Sequence, residues 1–182
     1  MTGVESLRGK LLIAGSSLFD PNFRRTILLV AHHDEEGAMG AILNRPADVT
    51  VGEAAPELAA LVGSEQRVFV GGPVQPEAAV VLAEFEDPSR AGVIAFDSIG
   101  FLAGEDPATV TGIHRGRVFV GHAGWGPGQL EREMEIDSWL TDQARRDDVF
   151  TPDPERLWTR VLRRKGRDYE ILATMPFDPS AN

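Results

Sequence analysis

Glycine and proline, 19 and 12 residues of the 182, cut the apolar sequence of this chain into pieces too short for most helices and long enough for strands. Apolar runs of about four to eight residues bounded by turn signals are the mark of buried strands. Residues 10–14 and 26–31 are two such runs, separated by the Asp20-Pro21-Asn22 turn signal. Residues 37–43 form a third, stopped at Arg45-Pro46 because proline donates no ladder bond and disfavours helix in the residue before it. A hairpin over 26–43 is the natural arrangement. Further strands are predicted at 67–70, 78–84 and 117–120, with a shorter one at 93–96. Helices are few. Thr50 can cap one that runs through Glu53, Leu58 and Leu61, with Pro56 in its first turns or at a kink. Another begins near Gly128 and carries Leu130, Met134 and Ile136, with Trp139 and Leu140 continuing or following it. Strands interspersed with so few helices predict one α+β domain over residues 1–182, a mainly antiparallel or mixed sheet with a few packed helices, and flexible ends at 1–9 and 177–182.

Charge narrows the function. Eighteen basic against 28 acidic residues give a net charge of −10, which repels phosphate backbones over most of the surface. Residues 156–167, RLWTRVLRRKGR, run against that average with six basic residues and no acid. At helical spacing Arg156, Arg160, Arg163 and Arg164 share one arc, and Leu157, Trp158, Val161 and Leu162 fill the next. Pro154 suits the first turn of that helix and Gly166 its end. A solvated face paired with acidic neighbours is one reading of the basic arc; a docking surface is the other. There is no cysteine, so disulfides, thiolate nucleophiles and Cys-ligated metals are excluded together. No apolar run reaches the ~18 residues of a membrane span, and Glu5 and Arg8 stand where a signal peptide needs apolar residues, so a cytoplasmic protein with no membrane contact is expected.

Two glycine-rich stretches could carry chemistry. Arg-Val-Phe-Val-Gly occurs at 67–71 and again at 117–121, and each copy opens into a glycine-rich loop: Gly71-Gly72-Pro73 in the first, and Gly121 through Glu131, with His122, Gly124, Trp125, Gly128 and Gln129, in the second. The repeat predicts two equivalent strand ends whose loops lie in one neighbourhood. A strand, a glycine loop and a helix start resemble a phosphate cradle. However, no Lys-Ser or Lys-Thr follows, the G-x-G-x-x-G spacing is absent, and Glu131 and Glu133 would repel phosphate. A rigid turn with a buried Trp125 explains the same residues, and a ligand- or partner-binding loop remains the alternative. The cluster from His32 to Glu36 reads as a surface loop, because adjacent strand residues point to opposite faces and no metal-ligand spacing appears. His114 and His122 would lie on the order of 26 Å apart on an extended chain. Ser16, Ser17 and Ser98 lack the G-x-S-x-G context. No catalytic residue, metal ligand or cofactor is assigned.

Asp20 through Thr26, Gly37-Ala38-Met39-Gly40 with Asn44-Arg45-Pro46, Gly71-Gly72-Pro73, and Gly124-Trp125 with Gly128 through Glu131 and a later Trp139 together resemble the YqgE/AlgH family of bacterial proteins. Order and spacing match from about residue 11 to residue 176. The resemblance implies a single α+β domain with strongly bent sheets. The family carries a transcriptional-regulator label, has no established biochemical activity and supplies no catalytic residue to transfer. Ser16 stands where the family often has proline, and His122 replaces a more usual aromatic residue. A pI near 4.8, with no helix-turn-helix pattern and no aromatic-basic surface, argues against direct DNA binding. The expectation is a non-enzymatic regulatory or interaction protein with an unknown protein partner. A small-molecule binding domain or hydrolase-like enzyme centred on the glycine loops is the alternative.

Overall fold

The computed structural model describes residues 5–15, 18 and 20–174. In chain order its elements are β1 (Lys10–Ala14), β2 (Ile27–Asp34), β3 (Gly37–Ile42), β4 (Pro46–Thr50), α1 (Val51–Ala54), α2 (Ala59–Val62), β5 (Arg67–Val70) and β6 (Val74–Phe85). There follow β7 (Ala91–Phe96), β8 (Ile99–Leu102), β9 (Ile113–Trp125), α3 (Gln129–Glu135), β10 (Trp139–Gln143), α4 (Arg146–Val149), α5 (Leu157–Lys165) and α6 (Arg167–Thr174). Single 3-10 turns open on Pro56, Pro88, Pro107 and Pro154, where the fixed φ of proline is already that of a helical first residue. The result is one α+β domain on a ten-stranded, mostly antiparallel open sheet, in the order β10-β1-β2-β3-β9-β6-β8-β7, with β5 also on β9 and β4 on β5.

Strand β9 joins two parts of the sheet. Its end, Ala123 to Trp125, pairs with β3, whereas the stretch from Ile113 to Val120 pairs with β6. Between the two, Gly121 adopts a φ of 71°, which only glycine takes without strain. The long apolar runs are strands buried on both faces. Along β2, Ile27, Leu29 and Ala31 enter the core under α5, with Leu157, Trp158, Val161 and Leu162, while Leu28 and Val30 enter a second core with Trp125, Leu130 and Trp139. A third core lies under α1 and α2 against Val68, Val81 and Val118.

The expected hairpin forms over β2 and β3. The expected helix from Thr50 starts with a full capping box to Glu53 and is then split at Pro56 into α1, a 3-10 turn and α2. The strands expected at 78–84, 117–120 and 93–96 are longer, as β6, β9 and β7. Pro46 does not stop the chain's pairing; it opens β4, an edge strand, where a missing N–H is tolerated. The helix at Gly128 stops sooner than the apolar spacing suggests: Ile136 is its exposed cap, Asp137 reverses the chain at a φ of 55°, and Trp139 starts β10. Of the expected flexible ends, residues 1–4 and 177–182 lie outside the described residues. Ser6, Leu7 and Gly9 hydrogen-bond to His33 and Val30 on β2.

Candidate functional site: an arginine cleft

The glycine loops do lie together. The two copies of the pentapeptide are β5 and the middle of β9, paired in parallel with Phe69 opposite Phe119 and Val70 opposite Val120. Beyond them the chains approach so closely that a Cβ on Gly72 would sit 2.3 Å from the carbonyl of His122, and one on Gly121 2.3 Å from the oxygen of Gly72. Glycine is required at both places for this backbone contact. Gly71 is likewise buried and donates to the Val120 carbonyl at 2.9 Å. Pro73 and Gly124 are exposed, and half-buried His122 pairs with Val74.

Trp125 is 6% exposed and belongs to a saturated polar-aromatic wedge. Its indole N–H donates to Glu133 Oε2 at 2.9 Å, and the N–H of Trp139 donates to the same oxygen at 2.8 Å. Gln129 donates to Glu133 Oε1 at 3.1 Å and accepts from the Gly126 N–H at 3.1 Å. Phe23 stacks on Trp125 at 6.4 Å and meets Trp139 edge-on at 5.6 Å. Gly128 takes the left-handed position that starts α3. His33 corrects the surface-loop reading of residues 32–36: a bulge between Val30 and His32 turns it inward, where it is buried, accepts the Leu7 N–H at 2.9 Å and meets Glu131 Oε1 at 2.9 Å. His32 remains outside, beside Asp34 at 2.8 Å. Among the described residues no three His, Asp or Glu side chains converge as a metal site requires.

The basic helix is less uniform than its spacing. Arg156 and Arg163 are exposed; Arg156 lies 3.6 Å from Asp153. Arg160, also exposed, donates to Thr151 Oγ1 at 3.1 Å and to the Asp147 carbonyl at 3.3 Å. Arg164 does not join the outward arc. Its side chain is 16% exposed and grips Asp142 at 2.9 Å and both oxygens of Asp148 at 2.9 and 3.1 Å. Burial alone would lower its pKa, but the bonds to Asp148 and Asp142 prevail and raise it.

A cleft of about 540 Å³ opens elsewhere, lined by Pro21, Arg24, Arg25, Asn44, Arg45, Glu155, Trp158 and Thr159. Two of the motifs that carry the resemblance, far apart in sequence, build it. Arg25 sits at a φ of 52°, a left-handed turn fixed by Asn44, whose Nδ2 donates to the Arg25 carbonyl at 2.9 Å and whose Oδ1 accepts from Ile27 N–H at 2.8 Å. Arg45 Nη2 closes the same turn by donating to the carbonyls of Pro21 and Arg24 at 2.9 and 3.1 Å. The Arg25 guanidinium lies 4.9 Å over the Trp158 ring, and the Trp158 indole donates to the Ala14 carbonyl at 3.3 Å, tying α5 to β1. Burial, and then the neighbouring Arg24, lower the pKa of Arg25; burial also lowers Arg45 against the pull of Asp20. Glu155, the acid in the lining, is held at 2.8 Å by Arg67. Three partly buried guanidiniums therefore line one cleft on a chain of net charge −10. Arg24, Arg25 and Arg45 were not singled out from the sequence, although a basic pair behind a turn signal and a second basic residue after Asn44 were there to find them.

The ten-stranded, mostly antiparallel open sheet with its short covering helices is an architecture shared with two solved structures. A protein of Corynebacterium diphtheriae, known from a crystal structure, matches with a TM-score of 0.83 and 28% identity over 96% of this chain and 95% of that one. The solution structure of the AlgH protein from Pseudomonas aeruginosa gives 0.71 and 27% over 97% of both. A UPF0301 protein of Streptomyces coelicolor is 43% identical over all of this chain and 98% of its own length, and one of Chlorobium limicola 39% identical over 96% and 95%. The sequence matches the AlgH-like family (DUF179) over residues 11–170, and the chain belongs to it.

Proposed function

We propose that this protein is a non-enzymatic interaction protein, consistent with a regulatory role, whose recognition site is the cleft of Arg24, Arg25, Arg45 and Trp158 and whose partner is a protein presenting an acidic segment. The carrying observation is that three arginines and a tryptophan line one cleft on an acidic chain. Arginine and tryptophan are the residues that most often dominate binding energy at protein interfaces. A guanidinium held by backbone carbonyls, as Arg45 is, meets a carboxylate at little entropic cost. Among the described residues of the lining no nucleophile is hydrogen-bonded to a base, which favours binding over hydrolysis. The glycine loops of the alternative ligand reading are packed backbone against backbone at Gly72 and Gly121, which favours the arginine cleft.

The test is fluorescence polarisation with a labelled octapeptide of alternating Glu and Asp, its Gln/Asn counterpart, and a 20-base-pair duplex, across a salt series. Binding of the acidic peptide that weakens with salt and drops at least tenfold in Arg24→Gln/Arg25→Gln is expected. No binding at low salt, equal binding by the double variant, or tight binding of the duplex overturns the proposal.

A further inference from the structure

A second arginine site lies on β9 itself. Arg117 is 7% exposed in a strand whose next residues are Val118 and Phe119, and it faces Leu82 across the ladder. Its guanidinium lies 4.6 Å over the Phe69 ring, and its Nη2 donates to the carbonyl of Thr151. Its Nη1, also buried, finds no acceptor among the described residues. Nor does any carboxylate hydrogen-bond or pair with it there. Glu84, opposite Arg115 in the register, is taken by Arg115 at 2.9 Å and Arg146 at 2.6 Å. Burial first, and then the like charge of Arg115, push Arg117 down to about 10, which still leaves it charged at neutral pH. Arg164 shows how this fold neutralises a buried guanidinium when the charge is structural: two aspartates surround it. Arg117 has a neutral carbonyl and an aromatic face instead.

A recess of about 220 Å³ lies against it, lined by Gln66, His114, Arg115 and Arg117 together with Val62 and Phe150. It sits where β9 loses a neighbour: β5 pairs with β9 at Phe119 and Val120, so residues 114–117 have β6 on one side and this recess on the other. The volume is below the roughly 300 Å³ at which pockets for drug-sized ligands begin, and suits an ion or one small acid group. Two arginines and no carboxylate line it. We propose that the recess is a binding site for a small oxyanion, a carboxylate or a phosphate, which pairs with the Arg117 guanidinium at its wall and supplies the counter-charge that the described residues do not. The Arg115 guanidinium, bonded to Glu84 through Nε and packed 4.4 Å from the Phe150 ring, also lines the recess as a second cationic wall. This site takes a single small anionic group, whereas the Arg24 cleft takes an acidic segment, and neither depends on the other.

The experiment follows thermal unfolding of the wild-type protein, Arg117→Met and Arg115→Gln in chloride, acetate, citrate and inorganic phosphate at matched ionic strength, with titration calorimetry for any anion that acts. Replacing a buried, unneutralised charge by an apolar side chain of similar length leaves a stable fold to measure. The expected result is a saturable rise in the wild-type melting temperature with a carboxylate or with phosphate, absent from Arg117→Met and weakened in Arg115→Gln. Response to acetate and citrate but not phosphate identifies a carboxylate group as the natural occupant, and the reverse identifies phosphate. A wild type that responds to none of them beyond chloride overturns the proposal, as does an Arg117→Met variant that responds like wild type. Both outcomes are independent of acidic-peptide binding at the other cleft, so the two readings fail separately.

Discussion

Two stretches of β9, around Trp125 and around Arg117, solve the same problem in opposite ways. Around Trp125 the buried side-chain polar groups of the described residues have partners within the fold: two indole N–H groups share Glu133, Gln129 holds the other oxygen, and His33 meets Glu131. At Arg117 a buried guanidinium has one carbonyl, one ring and an unmatched donor. Burying a polar group without a partner costs far more than a made hydrogen bond returns, so the closed stretch contributes stability and the open stretch draws on it. The loops that look most like a binding site in the sequence are thus at the closed stretch, and the polar groups that are short of partners lie at a strand whose sequence reads as plain core.

The largest effect that sharpens this contrast is expected at the closed stretch. Trp125→Ala removes a nearly buried indole, its ring contacts with Phe23 and Trp139, and one donor to Glu133. Truncation at a site of this kind costs about 3 to 5 kcal/mol. Urea unfolding should show that loss, while the folded fraction still binds the acidic peptide at the Arg24 cleft. Peptide binding lost without loss of stability would move the functional site to the glycine loops and break the comparison.

Next in size is a pair of substitutions with opposite signs. Asp148 is 1% exposed, holds Arg164 with both oxygens and caps the Arg145 N–H at 3.0 Å. Asp148→Ala strands a largely buried guanidinium that retains Asp142, and should cost about 3 kcal/mol. Arg117→Met should cost nothing measurable in anion-free buffer, or stabilise. A large loss in Arg117→Met would place that arginine in the same structural class as Arg164.

How far the sequence discloses all this depends on how local the cause is. Strand runs such as 10–14 and 26–31 are legible because burial on both faces writes itself as continuous apolar residues. The repeated pentapeptide discloses two adjacent strand ends, and the prediction of one neighbourhood holds because its cause, glycine at a close backbone approach, is written in each copy. Strand β10 is hidden because Trp139 and Leu140 also fit the spacing of the preceding helix, and only the turn at Asp137 separates them. Helix α6 and strand β4 carry too little apolar pattern to stand out, and β8 is apolar but only four residues long. The surroundings of the arginines are not legible locally: Arg164 lies in a helical arc that predicts a solvated or docking face, and its burial comes with Asp142 and Asp148, 22 and 16 residues away. Arg25 becomes a cleft residue only once Asn44 and Trp158 are brought to it by the hairpin and by α5.

The smallest expected effect tests whether the closed stretch is saturated by charge as well as by hydrogen bonds. The Glu131 carboxyl is held below its usual range, chiefly by its own backbone N–H at the start of α3 and then by the bond to His33. A carboxylate whose pKa is lower in the folded state binds its proton more readily when unfolded. Its contribution is therefore complete above the unfolded value near 4.3 and is lost as pH falls through the lower folded value. Glu131→Gln removes that dependence while keeping an oxygen within reach of His33. The variant's unfolding free energy should fall less steeply than that of wild type as pH drops below about 4, with a difference smaller than either substitution above because Glu131 is partly exposed and water screens it. Urea midpoints from pH 6 down to pH 3 would measure it. An acid limb identical in wild type and variant would mean that the bond to His33 sets position only, and that Glu133, between its two tryptophans, carries the closure of this stretch without help from Glu131.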